Sequence, residues 1–264
     1  MLSVNHLGVA FRRYAGLVRR TRIICLHDVS LCAKPGEVLA VVGASGAGKS
    51  LLAHAILGIL PRTAEVVGHM SFAGEPLTAA RQAALRGHHV ALVPQSIAHL
   101  DPLARSEQQV RRAAIRGGVA STSALATARA AAQRFGLEQE ALSALPHALS
   151  GGMARRVMLA IATCASAKLI IADEPTNGLD ATNSAVVFSY LRGVADQGRM
   201  VVLITHDLLA ALTVADRVMV MRDGVTQGVA AAADFSGDGA QLHLGYLRDL
   251  WRALPQNDFV APAG

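Results

Sequence analysis

An apolar run, VLAVV at 38–42, breaks into Gly43-Ala44-Ser45-Gly46-Ala47-Gly48-Lys49-Ser50 and leads directly into an apolar helical stretch, Ser50–Leu60, with Pro61 placed to stop it. Strand, glycine-rich loop and helix in that order open a parallel α/β core. The eight residues also fit the phosphate-loop pattern GxxxxGK[ST] in the context that gives the pattern meaning. Glycines let the backbone curl until successive N–H groups point inward, and the helix N-terminus adds partial positive charge there. Such a cradle suits phosphate oxygens. Lys49 is then placed to reach the β- and γ-phosphates of a nucleoside triphosphate as a point charge. The Ser50 hydroxyl is placed to ligate Mg²⁺, and Leu51 carries the segment into the helix.

A second signal lies in Leu169-Ile170-Ile171-Ala172-Asp173-Glu174-Pro175-Thr176, an apolar strand that ends in two adjacent acids. A carboxylate at the tip of a buried parallel strand beside a phosphate loop can hold Mg²⁺ through its water shell, and Asp173 takes that role. Glu174 would then stand where a hydrolytic water approaches the γ-phosphate. An Asp-Glu pair after an apolar strand is a weak signal alone; beside the phosphate loop it is a strong one.

The rest of the chain reads around these two points. Short strands are expected near Ser3–Phe11 and Ile23–Leu31, at His89–Val93 ahead of Pro94-Gln95, and at Leu169–Ala172 and Met200–Ile204. A final β-pair is expected near Val218–Met221 and Gly224–Val229. From about Asp101 to Leu149 the pattern turns helical (Ala104–Arg116, Ser121–Phe135), as an inserted helical subdomain would. Helices are also expected from Ser150-Gly151-Gly152 to about Cys164 and over Asn183–Gln197, with a weaker one at His243–Leu254.

Of the 264 residues 52% are apolar and 17% charged, yet the strongest apolar runs are only strand-length. None approaches the ~18–20 residues of a membrane-spanning helix, and no cleavable leader is read at the N-terminus. Cys25, Cys32 and Cys164 lack metal-ligand spacing and read as reduced thiols. The net charge of +6 comes mostly from arginine, including Arg12-Arg13, Arg19-Arg20 and Arg111-Arg112. Nucleic acid, an anionic membrane surface, or simply a solvated arginine-rich face would each account for it, so charge decides nothing.

Leu149-Ser150-Gly151-Gly152, about 20 residues before the acid pair, resembles the signature motif of ABC (ATP-binding cassette) proteins. The order phosphate loop, Gln95, signature, acid pair, Asn177-Gly178-Leu179-Asp180 and His206 is similar to that family over roughly residues 2–230. The resemblance implies a P-loop NTPase α/β fold with a RecA-like core, an N-terminal antiparallel β-subdomain and a helical subdomain at about 97–160. A C-terminal tail would follow over 231–264. It implies an ATPase that uses ATP and Mg²⁺ and pairs head to tail with a second ABC ATPase subunit. Each nucleotide would lie between one subunit's loop and the other's Ser150, Gly151 and Gly152. Gln95 would sense Mg²⁺ and the attacking water; His206 would orient Glu174 and the γ-phosphate; Asp180 would join the two sites. Phe11, with Tyr14 as runner-up, would stack on adenine. Met153-Ala154-Arg155-Arg156 departs from the usual glutamine–arginine pair after the signature, and Asn177-Gly178 from the small residues usual in that loop.

Within the family, His99-Leu100-Asp101-Pro102-Leu103 and the tail HLGYLRDLWRALP resemble segments of the dipeptide, oligopeptide and nickel importers. LGILP, LSGGM and a short C-terminal region are similar to the first ATPase of nickel importers. That resemblance implies uptake of nickel or a metal–metallophore complex, with a di-/oligopeptide importer as the alternative. A soluble ABC ATPase of a metabolic complex, of the carbon–phosphorus lyase type, is a further one. As an importer subunit the chain is expected on the cytoplasmic face of a bacterial inner membrane. Its expected partners are a heterodimeric ATPase mate, two permease subunits and an extracytoplasmic substrate-binding protein; no nucleic acid is expected.

Overall fold

The computed structural model describes residues 1–15, 19–254 and 257, the side chains of 13–15 and 19–20 excepted. The chain begins with β1 (Leu2–Ala15) and β2 (Arg19–Ala33), an antiparallel pair running from Leu2↔Ala33 to Ala15↔Arg19. Both strands extend well beyond the apolar stretches that announced them, because each residue added satisfies backbone groups across the ladder. Then come β3 (Val38–Val42), α1 (Lys49–Leu57), β4 (Ala64–Phe72), β5 (Glu75–Pro76), α2 (Ala79–Leu85) and β6 (Val90–Val93). Four helices follow: α3 (Ser106–Arg116), α4 (Ala124–Arg134), α5 (Gln139–Ser143) and α6 (Gly151–Thr163). The chain continues through β7 (Leu169–Asp173), α7 (Ala181–Asp196), β8 (Met200–Thr205), α8 (Leu208–Leu212), β9 (Arg217–Arg222), β10 (Val225–Ala231) and α9 (Gly245–Arg252).

One expectation needs correction. Helix α1 ends at Leu57, three residues short of Leu60, because Gly58 adopts a left-handed conformation (φ 65°) and its N–H bonds back to the Ala55 and His54 carbonyls. Gln82 and Arg86 donate to the carbonyls of 55–58, which fixes that end further.

The strands form one ten-stranded sheet in the order β5-β4-β1-β2-β10-β9-β3-β8-β7-β6. Its parallel part, β9-β3-β8-β7-β6, is buried on both faces, which is why those strands read as unbroken apolar runs. On β3, Val38, Ala40 and Val42 enter the core shared with α3, α4, α6 and α7, while Leu39 and Val41 enter the core beneath α1. The antiparallel part is β5-β4-β1-β2, joined to the rest where β2 pairs with β10 at Val225↔Asp28 and through a shared core.

Helices fill the chain between β6 and β7 and pack into the first core through Val110, Ala128, Ala131, Phe135 and Val157. The tail joins the same core. Leu247 is fully buried, Trp251 packs edge-on against Phe235, and the indole N–H donates to the Gly237 carbonyl at 3.0 Å. Among the described residues no helix is long and apolar enough to cross a membrane, and the three cysteines are free thiols.

Candidate functional site

The parallel strands β3, β7 and β8 end side by side, which is where an open α/β sheet offers a crevice. The loop after β3 is locked by close packing. Any side chain at Gly43 would run into the Met221 carbonyl oxygen (2.2 Å from a Cβ), and Gly48 has φ 95° with Leu26 against it. Gly48 caps α1 in this conformation, so the loop turns at once into the helix. Lys49, 7% exposed, donates from Nζ to the carbonyls of Gly43 (2.6 Å) and Ala44 (3.1 Å). Burial lowers its pKa, while Glu174 and Asp173 oppose that by favouring the charge.

Asp173 ends β7 at 3% exposure, and its Oδ1 is buried with no hydrogen-bond partner. Burial pushes its carboxyl above the usual range, opposed by a hydrogen bond with the Ser50 side chain. An unmet buried carboxylate oxygen beside a hydroxyl, with the Gln95 amide on the same cleft, is a set of hard oxygen donors that fits Mg²⁺. Glu174, also buried, has φ 48°, an unusual conformation for a residue with a long side chain. Its N–H donates to the Ile204 carbonyl (2.9 Å), and its carboxylate is held by Thr205 Oγ1 (3.4 Å) and His206 Nδ1 (2.9 Å). Strand β8 thus supplies the fixture that keeps this backbone strain in place.

These groups open into one cleft of about 860 Å³. Phe11, Ser45, Gly46, Gly48, Lys49, Ser50, Leu51, Gln95, Glu174 and His206 all line it, whereas Gly43, Ala44 and Ala47 form the loop behind. Asp173 lies beneath. The Tyr14 side chain falls outside the described residues. Ile24, Cys25, His27 and Asp223 also line the cleft and were not anticipated. Ile24 has a sequence signal, since it sits on β2 opposite Ala10, next to Phe11. Asp223 has none, because it arrives through the β9–β10 turn, where the Gly224 N–H donates to the Ala47 carbonyl at 3.2 Å.

Ser150, Gly151, Gly152 and Asp180 stand apart, at helix N-termini outside this cleft. Ser150 Oγ caps α6 by accepting from the Met153 N–H (3.2 Å). Asp180 caps α7, accepting from the Asn183 N–H (2.8 Å) and side-chain amide (2.6 Å), and these bonds lower its pKa. Each end keeps an exposed face of partial positive charge.

A profile of the ABC transporter family matches residues 26–177. A putative peptide import ATP-binding protein of Brucella abortus is 35% identical over 233 residues, covering 85% of this chain and 69% of that protein. The pyoverdine export ATP-binding/permease protein PvdT of Pseudomonas aeruginosa is 41% identical over 202 residues, covering 75% of this chain but only 30% of its own length. YejF of Escherichia coli, an ABC transporter ATP-binding protein, is 36% identical over 250 residues, 88% of this chain and 45% of that one. Among solved structures, the dimeric ABC transporter cassette MJ0796 superposes with a TM-score of 0.77 at 24% identity, covering 88% of this chain and 99% of that one. The same cassette, described as post-hydrolysis and bound to ADP and Pi, matches equally well at 25% identity. With the phosphate loop, Glu174 and His206 gathered in one cleft, the chain belongs to the ABC transporter family and has the fold of its ATPase domain.

Proposed function

We propose that this chain is the ATP-hydrolysing motor subunit of a membrane importer and works as one half of a two-subunit ATPase. The observation that carries the reading is the split between two sets of groups. Loop, Glu174 and His206 share a cleft, with Asp173 buried beside Ser50, while the capped N-termini at Ser150 and Asp180 lie outside it. A triphosphate lying on the loop would meet only half of the expected site, and a second subunit offering its own Ser150–Gly152 would supply the other half. The dimeric form of the MJ0796 cassette supports this arrangement.

Within the subunit the residues divide the work. The loop N–H groups and Lys49 bind phosphate oxygens. Ser50, Asp173 and Gln95 would hold Mg²⁺, which when bound neutralises phosphate charge. Glu174, fixed by His206 and Thr205, accepts a proton from water, and Phe11 offers an aromatic face to the base. The test is Glu174→Gln in the assembled transporter. Nucleotide affinity should stay within a few-fold, while steady-state turnover falls by about 10²-fold or more. Retained turnover, with the mate's own glutamate also replaced, would sink the general-base role.

For cargo, the name of the Brucella relative supports peptide import. The nickel or metal–metallophore reading rests on the sequence resemblance at 99–103, in LGILP and in the tail. On either reading the expected partners are two permease subunits, a different ATPase mate and an extracytoplasmic substrate-binding protein, with the chain peripheral on the cytoplasmic face. Uptake measured in a deletion strain under peptide limitation and under metal limitation separates the two cargoes.

A further inference from the structure

Arg155 is a buried cation to which the reading above assigns no task. It lies in the second turn of α6 at 6% exposure, among apolar neighbours Ala154, Val157 and Met158. Its Nη1 donates to the Pro94 carbonyl at 3.1 Å, and its Nε is buried without a partner. Pro94 follows the last residue of β6 and immediately precedes Gln95, so this bond links the signature-bearing helix to the segment that carries Gln95. Asp173 and Glu174 both lie within electrostatic range of the guanidinium and favour its charge, while burial opposes it. Arg155 Nε and Asp173 Oδ1, of opposite sign, are both buried without a hydrogen-bond partner.

Packing alone does not call for a guanidinium here. A buried charge with an unfilled donor is costly, and an uncharged side chain of similar reach could serve the Pro94 carbonyl without that cost. What distinguishes Arg155 is its field at the acid pair. A fixed positive charge near two carboxylates weakens their hold on any cation, and the effect in a low-dielectric interior is large.

We infer that Arg155 is a positioning residue: through the Pro94 carbonyl it ties α6 to the Gln95 segment, and its charge tempers the grip of Asp173 on a divalent cation. A shift of α6 against the sheet then alters the cation site of the same subunit. The signature that α6 presents to a mate and the acids beneath its own loop are thereby linked. This inference rests on the reading of Asp173 as the Mg²⁺-holding carboxylate.

The experiment uses the full chain and a fluorescent ATP analogue, comparing affinity with and without Mg²⁺. In Arg155→Gln the ratio of the two affinities should rise at least about threefold, because a cation facing the acids is gone. Arg155→Lys, which keeps the charge, should leave the ratio near that of the parent. Arg155→Met takes the place of the glutamine variant if that one fails to fold, and amide exchange over residues 95–101 should quicken in it as the bond to the Pro94 carbonyl is lost. An unchanged ratio in the uncharged variants overturns the electrostatic half, and unchanged exchange overturns the tie. Asp173→Asn in the parent background serves as the reference. If it leaves the Mg²⁺ enhancement intact, the reading of the acid has failed, independently of Arg155.

Discussion

At the scale of single residues, the cleft is built from groups held against their own preferences. Asp173 keeps an unpaired buried oxygen, Glu174 sits at positive φ, and Lys49 is largely desolvated. Each costs stability that a pure scaffold would avoid, and such costs concentrate where chemistry is done. The pH consequence for Asp173 follows from the direction of its shift. A carboxyl raised by burial holds its proton in the folded chain at pH values where the unfolded chain has released it. Its contribution to stability is therefore complete below the unfolded value of 3.8 and is lost as pH rises through the higher folded value. At neutral pH without Mg²⁺ or nucleotide, Asp173→Asn should melt at a higher temperature than the parent, and the gap should close in acid. Thermal denaturation at pH 7 and pH 4 checks both halves of that statement.

At the scale of elements, the N-terminus of α6 carries a local cap on the same residue to which the proposed function gives a partner-facing role. Ser150 satisfies an otherwise orphaned N–H of the first turn. Ser150→Ala should cost about 1 kcal/mol of stability in a urea melt. It should also lower the ATPase rate of the assembled transporter by more than that loss of stability explains. Equal turnover by the variant would argue that the hydroxyl is only a cap. Cysteine reactivity follows from packing in the same element. Cys164 closes α6 in the core, and burial pushes its thiol up to about 11, so at pH 8 little thiolate is present. Alkylation of the native chain at that pH should label the half-buried Cys25 and Cys32 and spare Cys164, as read by mass spectrometry of tryptic peptides.

The same scale shows what could be read in advance. The loop from β3 into α1, the strand ending in the acids and the helix after Ser150 were legible because local pattern and local chemistry coincide there. Strand β4 was not read. Its sequence, AEVVGHMSF, leaves Val66 and Val67 exposed and places Gly68 at φ 98°, so the stretch lacks an alternating pattern. It is a strand because β1 supplies a ladder for it, from Leu2↔Phe72 to Phe11↔Ala64. In the site, the motif residues were legible, whereas Cys25, His27 and Asp223 reach the cleft only when the hairpin and the β9–β10 turn fold over the loop.

At the scale of the whole molecule, the cleft lies where two kinds of sheet meet. The antiparallel strands bring Phe11 and Ile24, the parallel strands bring the loop and Glu174, and in the sheet the two meet where β2 lies beside β10, at Val225↔Asp28 and the His27 N–H bond to the Gly224 carbonyl. A nucleotide bridging both parts would stiffen that seam. On the other face of β10, the tail from Ala232 to Arg252 packs against that strand and is fastened to the main core through Phe235, Leu242, Leu247 and Trp251. Trp251→Ala should therefore destabilise the entire domain by about 3 kcal/mol or more. Circular dichroism in urea would show the midpoint of the whole transition moving; an unmoved midpoint would mark the tail as an independent appendage. Trp251 is also the chain's sole tryptophan. Ultraviolet emission excited at the red edge of the absorption band thus originates from a single ring beside Phe235, which is not among the residues lining the cleft. Nucleotide titrations on the unaltered chain would be nearly silent in that light, whereas the first loosening of the C-terminal helix would be bright with information.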